Sequence, residues 1–181
     1  MKYAVLFRGI NVGGKNIVKM NDLKQLFFDL GFKNPETYIQ SGNAVFEADL
    51  EEKPLQEIIE EGFSQQFGFK SSIIIRNIDE ISSLIEHLPF SQEEISEAEA
   101  ADPAVEHLYV YFLENPPEQS KIEALCKNCT GSDIIRTGKR EIYLLCKQSI
   151  RKSKAAAQLS KLFKSSTVRN WKTVNKLHEM L

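Results

Sequence analysis

The first 77 residues alternate between strand-like and helix-like patterns of hydrophobic and polar positions. An almost wholly apolar run over Tyr3–Arg8, ended by Gly9, predicts a buried strand. Apolar side chains then recur at helical spacing, with Asn21 placed to cap the helix and Gly31 placed to end it. The apolar positions of this helix are Leu23, Leu26, Phe27 and Leu30.

Two more strands, a second helix and a final strand complete this first set. Thr37–Gln40 and Ala44–Ala48 flank Ser41-Gly42-Asn43, whose composition predicts a hairpin turn. Pro54 suits the first turn of a helix, and Ser72–Arg76 has the isoleucine-rich pattern of a strand. The inner stripe of that helix is predicted to be Leu55, Ile58, Ile59 and Phe63. The predicted order is β-α-β-β-α-β.

The same order returns after residue 105. Pro116-Pro117 introduces a helix, a second helix follows near Ala155, and Asn170 can cap a last helix. The second helix has Ala155, Leu159, Leu162 and Phe163 on one face. Strands are predicted over Leu108–Leu113, Asp133–Arg136, Glu141–Cys146 and Thr167–Val168.

We therefore predict an α+β protein made of two tandem ferredoxin-like βαββαβ units. The first unit spans residues 1–77, and the second spans residues 105–181 and includes a C-terminal helix. Between them, residues 78–104 are predicted to be an acidic helical linker with one or two short amphipathic helices, ending at Asp102-Pro103.

Both first strands carry apolar side chains on both faces, whereas a sheet with one solvated face would alternate. Two explanations are open. The second faces pack on each other or on a partner, or the strand aromatics form a base-stacking platform as in an RNA-recognition motif. Packing is favoured because the patterned aromatic run of that motif is absent.

Composition indicates a folded protein and a cellular location. The 181 residues, 42% hydrophobic, 27% charged and 9% aromatic, are typical of folded domains rather than of disordered or collagenous chains. No apolar run approaches the roughly 20 residues of a membrane span, and the N-terminal sequence leads into a strand rather than into the apolar block of a signal peptide. We therefore expect a cytoplasmic protein with no membrane partner.

The net charge of −2 conceals a segregation of charge along the chain. Residues 1–40 carry +3, residues 41–120 carry −15 and residues 121–181 carry +10. The acidic middle is unsuited to a phosphate backbone, whereas the basic last third can lie along one. The alternative is that both patches face water, or that they face each other within or between subunits. Contact of opposite patches between subunits would make the protein a homo-oligomer.

Three cysteines, Cys126, Cys129 and Cys146, raise the question of redox or metal chemistry. The first two have the CxxC spacing of redox and zinc sites. They fall at the C-terminal end of a predicted helix, however, and not at the N-terminus that would lower a thiol pKa. The three histidines are scattered singly, without the spacing of zinc ligands. We therefore expect reduced structural cysteines, no metal and no cofactor.

The connection from the first strand to the first helix is longer than its structural task requires. Gly9–Met20 has twelve residues, where such a loop usually has about two to six. It matches the GxxxxGK phosphate loop of NTPases up to Lys15, but Asn16 replaces the hydroxyl that would hold magnesium, and the predicted helix starts too late. What remains is an anion-binding composition, in which glycine N–H groups converge and Arg8 and Lys15 supply charge.

In a β-α-β-β-α-β unit this loop and the Ser41-Gly42-Asn43 hairpin should lie at the same end of the sheet. Neutral amide and hydroxyl groups of the hairpin would then surround the basic loop. The alternative is that the glycines only shape a long turn and that Asn16 caps it. The candidate ligand-binding residues on the two loops are Arg8, Asn11, Gly13, Gly14, Lys15, Asn16, Gln40, Ser41 and Asn43.

Three segments form a pattern that extends over essentially the whole chain: RGINVGGKN at residues 8–16, TYIQSGN at 37–43 and TVRNWKTV at 167–174. Together they resemble the bacterial family called domain of unknown function 1697. The resemblance implies that these blocks are the family's signature, and it implies no substrate or catalytic residue. The third block adds Arg169, Asn170 and Trp171 as candidate ligand residues, because a tryptophan beside basic side chains can stack on a ring. A lone tryptophan opening a helix is more often a core anchor.

Three functions are compatible with these residues. The first is a non-catalytic module that binds a phosphate-bearing small molecule or nucleic acid through the Gly-Gly-Lys loop. The second is an enzyme acting on an anionic small molecule, with Lys15 as an electrophilic clamp; Glu36 is the only carboxylate beside the signature blocks, and they hold no histidine or cysteine. The third is a protein-protein interaction module whose acidic segment docks a basic partner or whose opposite charges self-associate. The sequence leaves catalysis open.

Overall fold

The computed structural model describes residues 1–128 and 131–181. Within them the chain is a mixed α/β protein with two four-stranded antiparallel sheets and seven α-helices. It divides into two compact units: unit 1 comprises residues 1–85 and 175–181, and unit 2 comprises residues 86–174. None of the helices in the described ranges combines the length and apolar character needed to traverse a bilayer.

Unit 1 contains the first sheet, in the order β2-β3-β1-β4. Its elements are β1 (Lys2–Phe7), α1 (Met20–Asp29), β2 (Lys33–Tyr38), β3 (Asn43–Glu47), α2 (Glu52–Phe67), β4 (Ile73–Asn77) and α3 (Ile78–Glu86). The central strand β1 pairs antiparallel with β3 and β4, so that Val5 lies opposite Ala44 and Ile75. Because β2 also pairs antiparallel with β3, the C-terminal end of β1 and the β2–β3 turn lie at the same end of the strands of the sheet.

One end of α1 is set as predicted and the other is not. Gly31, at φ +83°, terminates the helix as predicted. The prediction of Asn21 as the cap is wrong, because α1 begins at Met20 and Lys19 occupies the cap position without a side-chain hydrogen bond. Just before this start, both main-chain groups of Val18 are hydrogen-bonded to the side chain of Asn11.

An aromatic cluster holds α1 and α2 against one face of the first sheet. The rings of Phe7 and Phe63 are 5.0 Å apart, and those of Phe27 and Phe46 are 5.1 Å apart. Each ring removed from water stabilises the fold by about 1.5–3 kcal/mol. Ile58 was predicted in the same stripe but is 37% exposed, since α2 lies on the sheet through a narrower face. That face consists of Leu55, Ile59 and Phe63.

Unit 2 contains the second sheet, in the order β6-β7-β5-β8. Its elements are α4 (Gln92–Ala101), β5 (Leu108–Phe112), α5 (Gln119–Asn128), β6 (Ile134–Thr137), β7 (Glu141–Leu145), α6 (Lys154–Leu162), β8 (Thr167–Asn170) and the start of α7 (Trp171–Met180). All pairs are antiparallel, and the strand order repeats that of unit 1. A 3-10 turn at Ile150–Lys152 precedes α6.

Helix α4 is joined to the second sheet by the ion pair between Glu94 and Arg136, and Glu97 on the same helix pairs with Lys147, just after β7, at 3.3 Å. Ser91 and Glu94 form a capping box at its start. The two oxygens of Glu94 accept hydrogen bonds of 2.8 and 2.6 Å from the guanidinium of Arg136 on β6. The guanidinium also donates to the Pro89 carbonyl and stacks 4.7 Å from the centre of the Phe90 ring. These contacts lower the pKa of Glu94 to about 2, chiefly through the hydrogen bond from Arg136.

Both faces of β1 and β5 are buried. Ala4 and Leu6 on one strand and Val110 and Phe112 on the other are fully excluded from solvent. Of the five aromatic side chains on these strands, Tyr3, Phe7, Tyr111 and Phe112 are at most 5% exposed and Tyr109 is half-buried. The four enclosed rings are not available for stacking on bases.

Candidate functional site

The long loop after β1 folds into a miniature hairpin. The Lys15 N–H donates to the Val12 carbonyl at 3.1 Å, and the Asn11 N–H donates to the Asn16 carbonyl at 3.0 Å. Gly13 and Gly14 occupy the two central positions at φ +59° and +74°. Two successive left-handed residues are what a type I′ turn requires, and glycine adopts them without steric cost. The two glycines are therefore a turn at the tip of a hairpin.

Asn11 holds this hairpin to the neighbouring loop. Its Nδ2 donates to the carbonyls of Val18 and Gln40, each at 2.8 Å, and its Oδ1 accepts from the Val18 N–H at 2.8 Å. Asn16 adds a second brace, because its Nδ2 donates to the Gly9 carbonyl at 3.1 Å. The loop and the β2–β3 hairpin are therefore neighbours, as the topology predicts.

The β2–β3 hairpin is built around Gly42. This residue has φ +77°, and its carbonyl accepts a hydrogen bond of 2.8 Å from the Phe7 N–H. A Cβ at this position would come within 2.6 Å of Ile10 Cδ1 and 2.9 Å of Phe7 Cβ. Asn43 is fully buried, and its Nδ2 donates to the Tyr38 carbonyl and to Ser41 Oγ. Only glycine fits at position 42, and Asn43 shapes the turn from inside.

Ile39 in the same turn has an unusual backbone conformation. Its φ is +47°, although a β-branched side chain is strongly disfavoured in the left-handed region. Such a conformation persists only where surrounding contacts over-determine it, and it concentrates at functional loops. Here the Gln40 carbonyl next to it is held by Asn11.

We define the paired loops as residues 8–19 and 39–42. Their outer surface is basic and partly apolar. The three cations Arg8, Lys15 and Lys19 are exposed, and no aspartate or glutamate occurs in residues 8–21 or 37–46. Three aliphatic side chains are also exposed: Val12 at 65%, Ile17 at 71% and Ile39 at 47%. Gln40 and Ser41 lie at the same exposed surface.

The remaining predicted residues, Arg169, Asn170 and Trp171, lie at the β8–α7 junction. Arg169 is buried, and its Nη1 donates to Thr167 Oγ1 and the Val168 carbonyl, each at 2.8 Å. Burial lowers the pKa of Arg169 to about 10, so the guanidinium remains charged at neutral pH. Asn170 caps α7 as predicted, since its Oδ1 accepts from the Thr173 N–H at 2.9 Å. Trp171 is half-buried and lines a cavity of unit 2.

The counterpart of Arg169 in unit 1 is Arg76, which the sequence interpretation did not single out. Arg76 is fully buried on β4, and its Nη1 donates to the preceding carbonyl, that of Ile75, at 2.8 Å. The next residue, Asn77, caps α3 by accepting from the Glu80 N–H, as Asn170 caps α7. An Arg-Asn pair is repeated at the end of the last strand in each half, and this repeat could have identified Arg76 from the sequence.

Neither the two described cysteines nor the loop that resembles an NTPase phosphate loop lies in the arrangement of the corresponding known sites. Cys126 is an exposed free thiol in the last turn of α5, and Cys129 lies outside the described residues. Cys146 is buried, and burial raises its pKa to about 12. In the described ranges no three His, Cys, Asp or Glu side chains are grouped to hold a metal ion. Helix α1 does not directly follow Lys15, as the helix of an NTPase phosphate loop would.

Comparison with known proteins gives the family. The model described as Protein of unknown function (DUF1697) matches residues 1–143, which include the paired loops and precede the β8–α7 junction. Among solved structures, the conserved bacterial protein SP0830 from Streptococcus pneumoniae is similar over 99% of this chain and 97% of its own, with 27% sequence identity and a TM-score of 0.75. A comparison with curated proteins gives no significant match. Because the family model covers well over half of its length, the chain belongs to the DUF1697 family.

Proposed function

We propose that this protein is a non-catalytic module that binds a phosphate-bearing ligand, the backbone of a nucleic acid, on the paired loops. The observation that carries the proposal is the brace made by Asn11. Its amide joins the Gly-Gly-Lys hairpin to the Gln40 carbonyl at 2.8 Å, so two loops distant in sequence present one preorganised surface. A surface that is already ordered loses little conformational entropy when a ligand binds.

The local charge supports an anionic ligand. The paired loops carry Arg8, Lys15 and Lys19 with no carboxylate among them, in a chain with 25 acidic residues. At 0.1 M salt, charges more than about 10 Å away are screened, so this local excess matters more than the net charge of −2. A phosphate at the tip would therefore meet Lys15, with Arg8 and Lys19 on the same paired loops and no carboxylate within them.

The shape of the tip supports a polymer backbone rather than an enclosed nucleotide. Gly13 and Gly14 are exposed, and a Cβ built on either would meet nothing within 4 Å. A phosphate could therefore approach the main chain of the turn directly, beside the Lys15 ammonium. Asn11, Asn16 and Asn43 position this surface through internal hydrogen bonds and would act on the ligand indirectly.

Titration with labelled oligonucleotides tests the proposal. Fluorescence anisotropy should show binding of a short single strand or duplex that weakens as salt rises. Lys15→Gln should lower the affinity about tenfold and reduce the slope of log affinity against log salt by about 0.7–0.9, the value for one lost phosphate contact. Lys53→Gln, which removes an exposed lysine of α2 and makes the same change of net charge, should leave both unchanged.

Two results would oppose the proposal. One is equal affinity of the wild-type chain and Lys15→Gln for every oligonucleotide. The other is no binding of oligonucleotide at low salt. Binding of ATP with a higher affinity than an oligonucleotide of equal phosphate number would reject the polymer as ligand and retain only the phosphate.

The exposed aliphatic side chains favour a second candidate function, a protein-protein interaction module. Val12, Ile17 and Ile39 form part of the outer surface of the paired loops, and exposed apolar groups that cluster mark contact sites. Apolar contact strengthens with salt, whereas phosphate binding weakens. Light scattering of the protein alone at low and high salt therefore separates self-association through this surface from binding of nucleic acid.

We also propose a ferredoxin-like fold for each unit and a cytoplasmic location for the protein. Each unit is proposed to be a ferredoxin-like βαββαβ unit, because helices follow the first and third strands and the sheet orders correspond. A cytoplasmic location is proposed because an odd number of cysteines, with Cys126 and Cys146 as free thiols, is typical of a reducing compartment.

A further inference from the structure

We propose that unit 2 contains a separate binding site, for a small organic cation with an apolar body. The site is a cavity of about 500 Å³ at the meeting point of α4, the loop before β5 and the start of α7. This volume lies within the range of small-molecule sites. It belongs to a different unit from the paired loops and does not depend on the function proposed for them.

The wall formed by the loop before β5 is rigid. His107 is buried at its end, with Nδ1 2.6 Å from the Cys146 carbonyl and Nε2 2.9 Å from the Asp102 carbonyl. The Cys146 N–H donates in turn to the His107 carbonyl at 2.9 Å. Both ring nitrogens therefore face main-chain oxygens, one at the start of the loop and one just after β7, and a neutral imidazole donates to one of them. His107 thus contributes an anchored wall rather than a ligand.

The aromatic wall is placed by sheet pairing and by a helix cap. Tyr109 lies opposite Asn170 in the β5–β8 register, so Trp171 follows directly beside the Leu108 end of β5. The Asn170 cap fixes the first turn of α7, on which Trp171 lies. Two distant parts of the chain thus bring an indole ring to a cavity that also has apolar lining from Ile95 and Val105.

The charges at this cavity select the sign of the ligand. Glu99 on α4 and Glu106 in the loop are exposed and line it, and the basic side chains of the lining in the described ranges are Lys172 and the buried His107. Apart from His107, whose ring nitrogens both face main-chain carbonyls, the lining has one more negative than positive charge. A cation over the face of an indole ring is attracted by the ring quadrupole, and a nearby carboxylate adds to this attraction. An amine or guanidine attached to an aromatic or aliphatic group matches all three features.

The chain's sole tryptophan, Trp171, provides the measurement. Titration with 4-phenylbutylamine should change its emission saturably, whereas 4-phenylbutyrate, of similar size and opposite charge, should not. Glu99→Gln and Glu106→Gln should each weaken amine binding several-fold, and the double variant at least about tenfold. Lys172→Gln should tighten amine binding, a direction that damage to the fold would not produce.

Glu93→Gln is the matched control, because Glu93 is an exposed carboxylate of α4 outside this lining. It should bind the amine like the wild-type chain. Isothermal titration calorimetry on the same samples detects binding that leaves the emission unchanged. The proposal is overturned if neither method detects the amine at millimolar concentration, if amine and carboxylate bind alike, or if Glu93→Gln weakens binding as much as the paired glutamine variants.

Discussion

Replacing Gly42 with alanine should destabilise unit 1 far more than the same change at Gly13. Both glycines have a left-handed backbone, at φ +77° and +59°, so both variants carry a conformational penalty of about 1–2 kcal/mol. At Gly13 the added methyl group meets open space, and this penalty is the whole effect. At Gly42 the new Cβ would lie 2.7 Å from Ile10 Cγ1 and 2.9 Å from Phe7 Cβ.

The overlap at Gly42 cannot be relieved by one side-chain rotation. Ile10 can move its terminal methyl group, but Phe7 Cβ is fixed by the central strand β1. Overpacking of this kind costs about 1–3 kcal/mol, so Gly42→Ala should lower the free energy of unfolding by about 2–5 kcal/mol in total. That is a large part of the about 5–15 kcal/mol that stabilises a typical domain.

Urea denaturation followed by circular dichroism measures both variants, with the transition of unit 1 analysed separately if two are resolved. Ile10→Ala in the Gly42→Ala background should recover part of the loss, so that the double variant is more stable than the sum of the single changes predicts. A cost at Gly42 no greater than at Gly13, or strict additivity with Ile10→Ala, would contradict the close packing of the two loops.

Three further predictions concern unit 2. Asn170→Ala should lower the free energy of unfolding by about 1 kcal/mol through loss of the α7 cap, and Asn170→Ser should restore most of it in a thermal melt. Glu94 has its pKa depressed to about 2 by Arg136, so its contribution to stability is complete above pH 4.5 and is lost as pH falls toward 2. Acid titrations of the wild-type chain and Glu94→Gln should therefore converge at low pH, and a constant difference would contradict this assignment. Iodoacetamide should modify exposed Cys126 well before buried Cys146, whose raised pKa suppresses the thiolate, and peptide mass mapping shows the order.

The two sheets share a buried arginine on the last strand of each. β4 and β8 each form one of the two edges of their sheet, and each carries a buried arginine that donates to the carbonyl of the residue before it. These arginines, Arg76 and Arg169, lie opposite Ala4 and Val110 in equivalent registers. Arg169 in the TVRNWKTV segment therefore has a structural role within its own sheet, where its Nη1 also donates to Thr167 Oγ1.

Local patterns determined the elements, because strand and helix periodicity and capping residues act over a few positions. The sequence was sufficient to predict the strands around Leu108 and Glu141, the Asn170 cap and the stop at Gly31. It failed for Ile58, since the burial of a residue at the flank of a helix depends on what packs beside it.

The chemistry of the candidate sites was decided mainly by tertiary structure. The sequence alone identified the Gly-Gly-Lys turn. The topology placed this turn near Ser41, because antiparallel connections determine which loops lie at the same end of a sheet. The sequence could not show that the Asn11 amide donates hydrogen bonds to both loops, or that Arg169 is buried within its own sheet. Nor could it bring Trp171 to Glu106, because that approach requires the β5–β8 pairing between segments far apart in the chain. Contacts of this kind depend on the packing of distant segments, about which the local sequence carries no information.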